Sequence, residues 1–153
     1  GFDAFVVKHI NKYKNLKSFA YLFAALFSFK TYTTGKFILL SDHKKMDCDI
    51  FLVCIGICKY SGAGMQLTDY KNHKPGHFDL TLISPIRLSK VIMNIFKLYN
   101  GSINQIKETY CSQVQSLGIT GNTTSYIQAD GELIGEGDVD IKLITNAIQF
   151  IVP

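Results

Sequence analysis

A chain of 153 residues with 47% hydrophobic side chains and a formal charge of +4 is about one domain long and too apolar to be disordered. Arg87 is the only arginine among sixteen basic residues, which argues against a sequence-specific nucleic-acid reader, since such proteins rely on arginine forks. The longest uncharged apolar stretch, Ser18 to Phe29, is too short to span a bilayer, and no signal-peptide pattern is present.

In chain order, Phe5-Val6-Val7 reads as a short strand. A helix is expected from about Lys14 to Phe29, because Leu16, Phe19, Ala20, Phe23, Leu26 and Phe27 recur at helical spacing. Tyr21, Leu22 and Phe29 widen its apolar surface beyond one stripe, so it is either deeply buried or in contact with something greasy. Thr31 to Leu40 reads as a strand closed by the charged turn Asp42-His43-Lys44-Lys45. Asp49 to Ile57 is a continuous apolar run, as expected of a strand buried on both faces. Ser61-Gly62-Ala63-Gly64-Met65 breaks it, and Lys71 to Gly76 forms a polar loop with a Pro75-Gly76 turn. A strand from Phe78 to Ser84 and a helix from Pro85 to about Tyr99 follow, the helix stopping at Asn100-Gly101. The rest reads as strands at Cys111–Ile119, Ser125–Asp130, Glu132–Gly135, Val139–Ile144 and Ala147–Val152, with breaks at Gly118, Gly121-Asn122, Gly131, Gly137 and Asn146. The expectation is one mainly β domain over 1–153, a sandwich or barrel with two or three helices.

Cys48, Cys54, Cys58 and Cys111 show no zinc spacing among themselves or with the histidines, so buried reduced thiols in a cytosolic protein are expected, with Cys54 and Cys58 on one strand face. Gly62-Ala63-Gly64 lacks the helix that a phosphate-cradling loop needs after it, and a bulge or close backbone approach explains it as well. The sharpest signal is Gln128-Ala129-Asp130-Gly131-Glu132. Asp-Gly between alternating apolar runs is a hairpin turn, and Glu132 adds an acid that the turn does not require. Carboxylates at a hairpin end are placed to hold a metal or a proton.

These features occur in a particular order. Gly1-Phe2-Asp3-Ala4 is followed by the apolar helix, a buried strand leading into Gly62-Ala63-Gly64-Met65, and Phe78-Asp79-Leu80. Arg87-Leu88, Asp130-Gly131-Glu132 and a terminal Phe150-Ile151-Val152-Pro153 complete the series. Over essentially its whole length the chain resembles the C-terminal domain of the diacylglycerol kinase and sphingosine kinase family of lipid kinases.

The resemblance implies a β-sandwich that is the second domain of a two-domain enzyme, its partner domain carrying a Gly-Gly-Asp-Gly nucleotide loop absent from this chain. It implies transfer of the ATP γ-phosphate to the hydroxyl of a diacylglycerol- or sphingosine-like lipid, with Mg²⁺ and ATP as cofactors of the full-length enzyme and none expected in this chain alone. Asp130 would be the acid tied to the Mg-nucleotide, and Glu132 the acid near the reacting hydroxyl. Phe19, Leu22, Phe23, Leu26 and Phe27 would contact the lipid, with lysines before them against anionic headgroups. The implied partners are a lipid substrate, a membrane surface met peripherally from the cytoplasm, and the nucleotide-binding domain. One departure stands out: an Asp-Asp-Gly that holds a structural Mg²⁺ in many bacterial members is Lys74-Pro75-Gly76 here, though Asp79 is kept, so that site is expected to be lost. The alternative expectation is a stand-alone lipid-binding or regulatory module of the same fold.

Overall fold

A computed structural model describes residues 1–9, 20–42, 44–61, 64–122 and 125–149. Among these, strand β1 (Gly35–Ser41) buries every second residue, and Phe37 and Leu39 point inward while Ile38 and Leu40 point out. It pairs antiparallel with β2 (Lys44–Ile50) on one side and β6 (Ser116–Gly121) on the other, and β9 (Val139–Lys142) extends the sheet beyond β6. A second antiparallel sheet has β4 (Phe78–Ile83) between β3 (Leu52–Gly56) and β5 (Thr109–Val114). The core lies between the sheets, where Phe37, Leu39, Ile50 and Leu117 meet Leu80, Leu82 and Val114. Each of these buried apolar side chains contributes roughly 1.5–3 kcal/mol by leaving water.

Two strands expected to be continuous are corners. The Asp49–Ile57 run splits at Phe51: β2 ends in the first sheet, and β3 begins in the second. Ile50, Phe51 and Leu52 are buried in succession, a phase slip that lets the chain cross between layers while keeping apolar side chains inside. The Cys111–Ile119 run splits likewise at Gln115, where β5 becomes β6. Asp42, at the β1–β2 turn with φ 38°, holds that second corner by accepting hydrogen bonds from the Gln115 and Ser116 amides (2.9 and 3.0 Å) and the Ser116 hydroxyl. Its pKa is lowered: burial pushes it up, but these donors and the nearby His77 outweigh that.

Helix α1 (Phe2–His9) replaces the strand expected at Phe5-Val6-Val7. The β-branched valines suggest a strand, but packing overrides propensity, since Ala4 and Val6 are buried and Phe2 and Phe5 face an aromatic cluster. Helix α2 (Ala20–Thr31) carries the second half of the expected Lys14–Phe29 helix, whose first part lies outside the described residues. Phe2, Phe29 and Tyr32 converge on Phe51, with the Phe2 and Phe51 rings stacked at 4.6 Å. The Phe2 amide donates to the Phe51 carbonyl (3.1 Å), and the Phe51 amide to Ile83 (2.8 Å).

The helix expected over 85–99 is α3 (Leu88–Met93) followed by a 3-10 turn (Ile95–Leu98). Asn94 causes the break, its side-chain amide donating to the Lys90 carbonyl at 2.8 Å. Gly118 is not a break but an interior position of β6, where an added Cβ would meet Asp140 Oδ1 at 2.8 Å. Residues 147–149 form no strand, and the remainder of Ala147–Val152 lies outside the described residues. All four cysteines are free, but β3 ends at Gly56, so Cys58 is exposed and off the strand rather than beside Cys54.

Burial pushes the Tyr32 hydroxyl up to about 12, and burial with the Asp3 carboxylate pushes the Cys54 thiol up to about 11 against the lowering effect of Ser61. Both groups keep their protons longer in the folded chain than in the unfolded one, so their stabilising contribution is complete below pH 9 and declines as pH rises toward 12. Denaturant midpoints measured from pH 8 to 12 should fall, and the Tyr32→Phe variant should fall less steeply between pH 10 and 12.

Candidate active-site hairpin

Strands β7 (Tyr126–Ala129) and β8 (Glu132–Glu136) form a hairpin of their own, with Ala129 opposite Glu132 and Asp130-Gly131 as the two-residue loop. Both loop residues have positive φ, 49° and 88°, the geometry that a tight hairpin turn demands and that Asp-Gly supplies at low cost. The register slips between Ile127 and Gln128, leaving Ile134 as an extra residue on β8. Asp130, Glu132 and all of β8 are exposed. The expected hairpin is therefore present, with its two carboxylates at one exposed tip.

Among the described residues no strand of either sheet pairs with this hairpin. Helix α1 carries it instead. Asp3 Oδ2 accepts from Gln128 Nε2 at 2.6 Å, and Gln128 Oε1 accepts from the Gly131 amide at 2.8 Å. The Gly1 nitrogen donates to the Tyr126 carbonyl (2.9 Å), and Lys8 Nζ bonds the Tyr126 hydroxyl and lies over its ring. The Asp3 carboxylate and the Ser61 side chain both act on the Cys54 thiol, the first raising its pKa and the second lowering it. Ser61 in turn bridges to Met65 (amide to carbonyl, 2.8 Å). Helix α1 and the Gln128–Gly131 turn thus meet at Asp3. Residues 62–63 lie outside the description.

Gln128 and Asp3 lie inside the Gln128–Glu132 and Gly1–Ala4 motifs, where the other residues carry the functional expectation. The signal was a long polar side chain on β7 directly before the turn. Of the expected lipid contacts, Phe19 lies outside the described residues, and Leu22, Phe23 and Leu26 lie on α2 with side chains outside the description. Phe27 is 52% exposed on the same helix. Among the described residues no helix is long and apolar enough to cross a membrane.

Asp79 is 2% exposed, and both of its oxygens are engaged. His73 Nδ1 lies 2.8 Å from Oδ2, and Gln113 Nε2 donates to Oδ1 at 2.9 Å. His73 also stacks on Tyr70. With Lys74 nearby in place of an acid, this donor set does not fit a hard divalent cation, which needs several free oxygens. No three His, Cys, Asp or Glu side chains converge on a metal position among the described residues. At the hairpin tip, two exposed carboxylates do fit a cation that takes its other oxygens from a nucleotide.

Comparison with known proteins gives a consistent picture. Residues 1–152 match the profile of the YegS C-terminal NAD kinase beta sandwich-like domain. No curated protein matches. Among solved structures, one from Bacillus anthracis str. Sterne assigned as a diacylglycerol kinase is similar at TM-score 0.55 and 15% identity, covering 77% of this chain and 43% of that one. Another, a diacylglycerol kinase of the same strain, gives 0.49 at 16% identity, covering 76% and 40%. The first of these likenesses shows a shared sandwich fold, and the chain spans about two fifths of the length of either structure.

Gln128→Leu removes both bonds of the Asp3–Gln128–Gly131 chain on a partly exposed hairpin. A loss of about 1 kcal/mol locally corresponds to roughly five-fold faster exchange of the Gly131 amide. Hydrogen exchange should show that change at the turn, with core amides of β1 and β4 unaffected. Asp79→Ala strands His73 and Gln113, and should cost about 2–4 kcal/mol in thermal or denaturant unfolding. A chelator should leave the melting temperature of the unsubstituted chain unchanged.

Proposed function

The chain belongs to the family of the YegS C-terminal NAD kinase beta sandwich-like domain, and from that membership we propose that it is the acceptor-side lobe of an ATP-dependent lipid kinase. The full-length protein transfers the γ-phosphate of ATP to the hydroxyl of a lipid alcohol of diacylglycerol or sphingosine type. It works in the cytoplasm as a peripheral membrane protein. A nucleotide-binding domain outside this sequence supplies the other wall of the cleft.

The observation that carries this reading is the Asp3–Gln128–Gly131 hydrogen-bond chain, which fixes a turn bearing two exposed carboxylates. Bound Mg-ATP would supply the transferable phosphoryl group and neutralise its charge. This chain would contribute Asp130 as a carboxylate oriented toward that cation. Glu132, two residues on, would accept the proton of the lipid hydroxyl as the hydroxyl oxygen becomes the attacking atom. The α1 anchor holds both at fixed spacing, which suits a reaction whose catalysis is mostly positioning and electrostatics. Helix α2, with Phe27 exposed, would line the path of the acyl or alkyl chain together with Phe19, Leu22, Phe23 and Leu26.

In the full-length protein, Asp130→Asn and Glu132→Gln should each lower lipid phosphorylation by roughly 10²–10⁴-fold. Both side chains are exposed, so circular dichroism and melting should be unchanged. Near-normal turnover in both variants would overturn the assignment and leave the lipid-binding module reading. The isolated chain should transfer no phosphate and bind ATP weakly.

A further inference from the structure

The segment after β4 presents apolar side chains that the fold does not cover. Helix α3 has no buried residue. Met93 and Phe96 are each 80% exposed, and Ile92 and Tyr99 about half so. Ile92 and Met93 end α3, Phe96 lies in the 3-10 turn and Tyr99 follows it, and all four side chains face outward. The segment is nevertheless firmly mounted. The Gln66 amide donates to the Leu98 carbonyl and the Gln66 side chain to the Tyr99 carbonyl, both at 2.6 Å, while Ile103 and Ile106 are buried on the return to β5.

Its charge is one-sided. Between Asp79 and Glu108 the sequence contains no acid, whereas Arg87, Lys90, Lys97 and Lys107 fall within that interval. Glu108, the first acid after it, is paired with Lys90. Leu133, Ile134, Ile144 and Ile148, also exposed, lie in a stretch of sequence with the opposite balance, Asp130, Glu132, Glu136, Asp138 and Asp140 against Lys142. An anionic lipid surface repels the second set and attracts the first.

We propose that the α3–Tyr99 segment is a docking surface for an anionic lipid bilayer, with Met93 and Phe96 entering the headgroup–acyl boundary and Arg87 and Lys107 against the phosphates. Partial insertion of apolar side chains and basic attraction are individually weak and reversible, and their combination gives stable peripheral attachment. Tyr99 suits the boundary itself, apolar in body and polar at its tip. The surface is distinct from α2 in sequence and in packing, since α2 lies against α1 and α3 against the following 3-10 turn. The proposal rests on the lipid-kinase reading for its purpose, but vesicle binding tests it without any catalysis.

The test is flotation of the chain with phosphatidylcholine vesicles, with and without phosphatidylglycerol. Binding is expected only with phosphatidylglycerol, and is expected to weaken with salt. Met93→Asp/Phe96→Asp should lower it at least ten-fold, and Arg87→Gln/Lys107→Gln should reduce its salt dependence, both with unchanged melting. Equal vesicle binding by the Met93→Asp/Phe96→Asp variant overturns the proposal. So does a dimer of the unsubstituted chain that this variant converts to monomer, since the occupant would then be a second copy. In the full-length protein the same variant should lose activity on bilayer-embedded acceptor and keep it on a short-chain acceptor dispersed in detergent. Absence of phosphorylation in any protein, with vesicle binding as expected, would overturn the kinase reading and leave the docking surface standing.

Discussion

Phe51 is the residue on which the arrangement depends. Its backbone turns the chain out of one sheet and into the other, its amide and carbonyl bond Ile83 and Phe2, and its ring packs among those of Phe2, Phe29 and Tyr32. One buried aromatic thus joins the two layers of the sandwich to both N-terminal helices. The Phe2 contact fixes the start of α1, and α1 is what holds the β7–β8 hairpin. The hairpin shares no ladder with either sheet, so its place relative to the core follows from side-chain bonds transmitted through this corner. Disturbance at Phe51 would reach Asp130 and Glu132 through α1, without any change in the turn that bears them.

The sequence conveys local chemistry well and layer crossings poorly. The Asp130-Gly131 turn was evident because its positive φ values are demanded by a two-residue loop and advertised by the residues themselves. The Asn100-Gly101 stop and the Gly137 break were evident for the same reason, both glycines having positive φ. The corners at Phe51 and Gln115 were not, because an apolar run that changes its inward phase looks continuous when hydrophobicity alone is followed. Helix α1 was misread because Phe5-Val6-Val7 has strand propensity, and only the tertiary cluster around Phe51 makes a helix the better solution.

At the candidate site the carboxylates were legible and their support was not. Asp130 and Glu132 stand out as two acids around one glycine, but nothing local says that Gln128 reaches back to Asp3, 125 residues earlier in the chain. Long-range side-chain bonds of this kind leave no periodic trace. Phe78-Asp79-Leu80 was a recognisable motif, yet the partners of Asp79, His73 and Gln113, come from a loop and from the neighbouring strand. The sequence indicated that acids were missing near Asp79, and the structure shows which donors satisfy the carboxylate in their place.

Those donors have a consequence beyond Asp79. The outward face of the second sheet is polar yet buried, with Thr81 fully covered and Asp79 nearly so. Bonding of its polar groups lowers the cost of such a layer, in which Thr68 Oγ1, Asp69 Oδ1 and Thr109 Oγ1 alone lack partners among the described residues. His73 and Gln113 satisfy Asp79, while Asp69 Oδ2 accepts from Asn72 and from Asn104 in a second 3-10 turn, Ile103–Gln105 (3.0 and 3.1 Å). The polar layer therefore ties the 66–77 loop to the sheet, and Asn104 and Gln66 tie the α3 segment to that loop. An apolar patch on a frayed helix would collapse onto the protein, because its own flexibility would let it escape water. Held at both ends by a bonded polar layer, Met93 and Phe96 stay exposed at a fixed place, which is the condition for meeting a surface other than the protein's own.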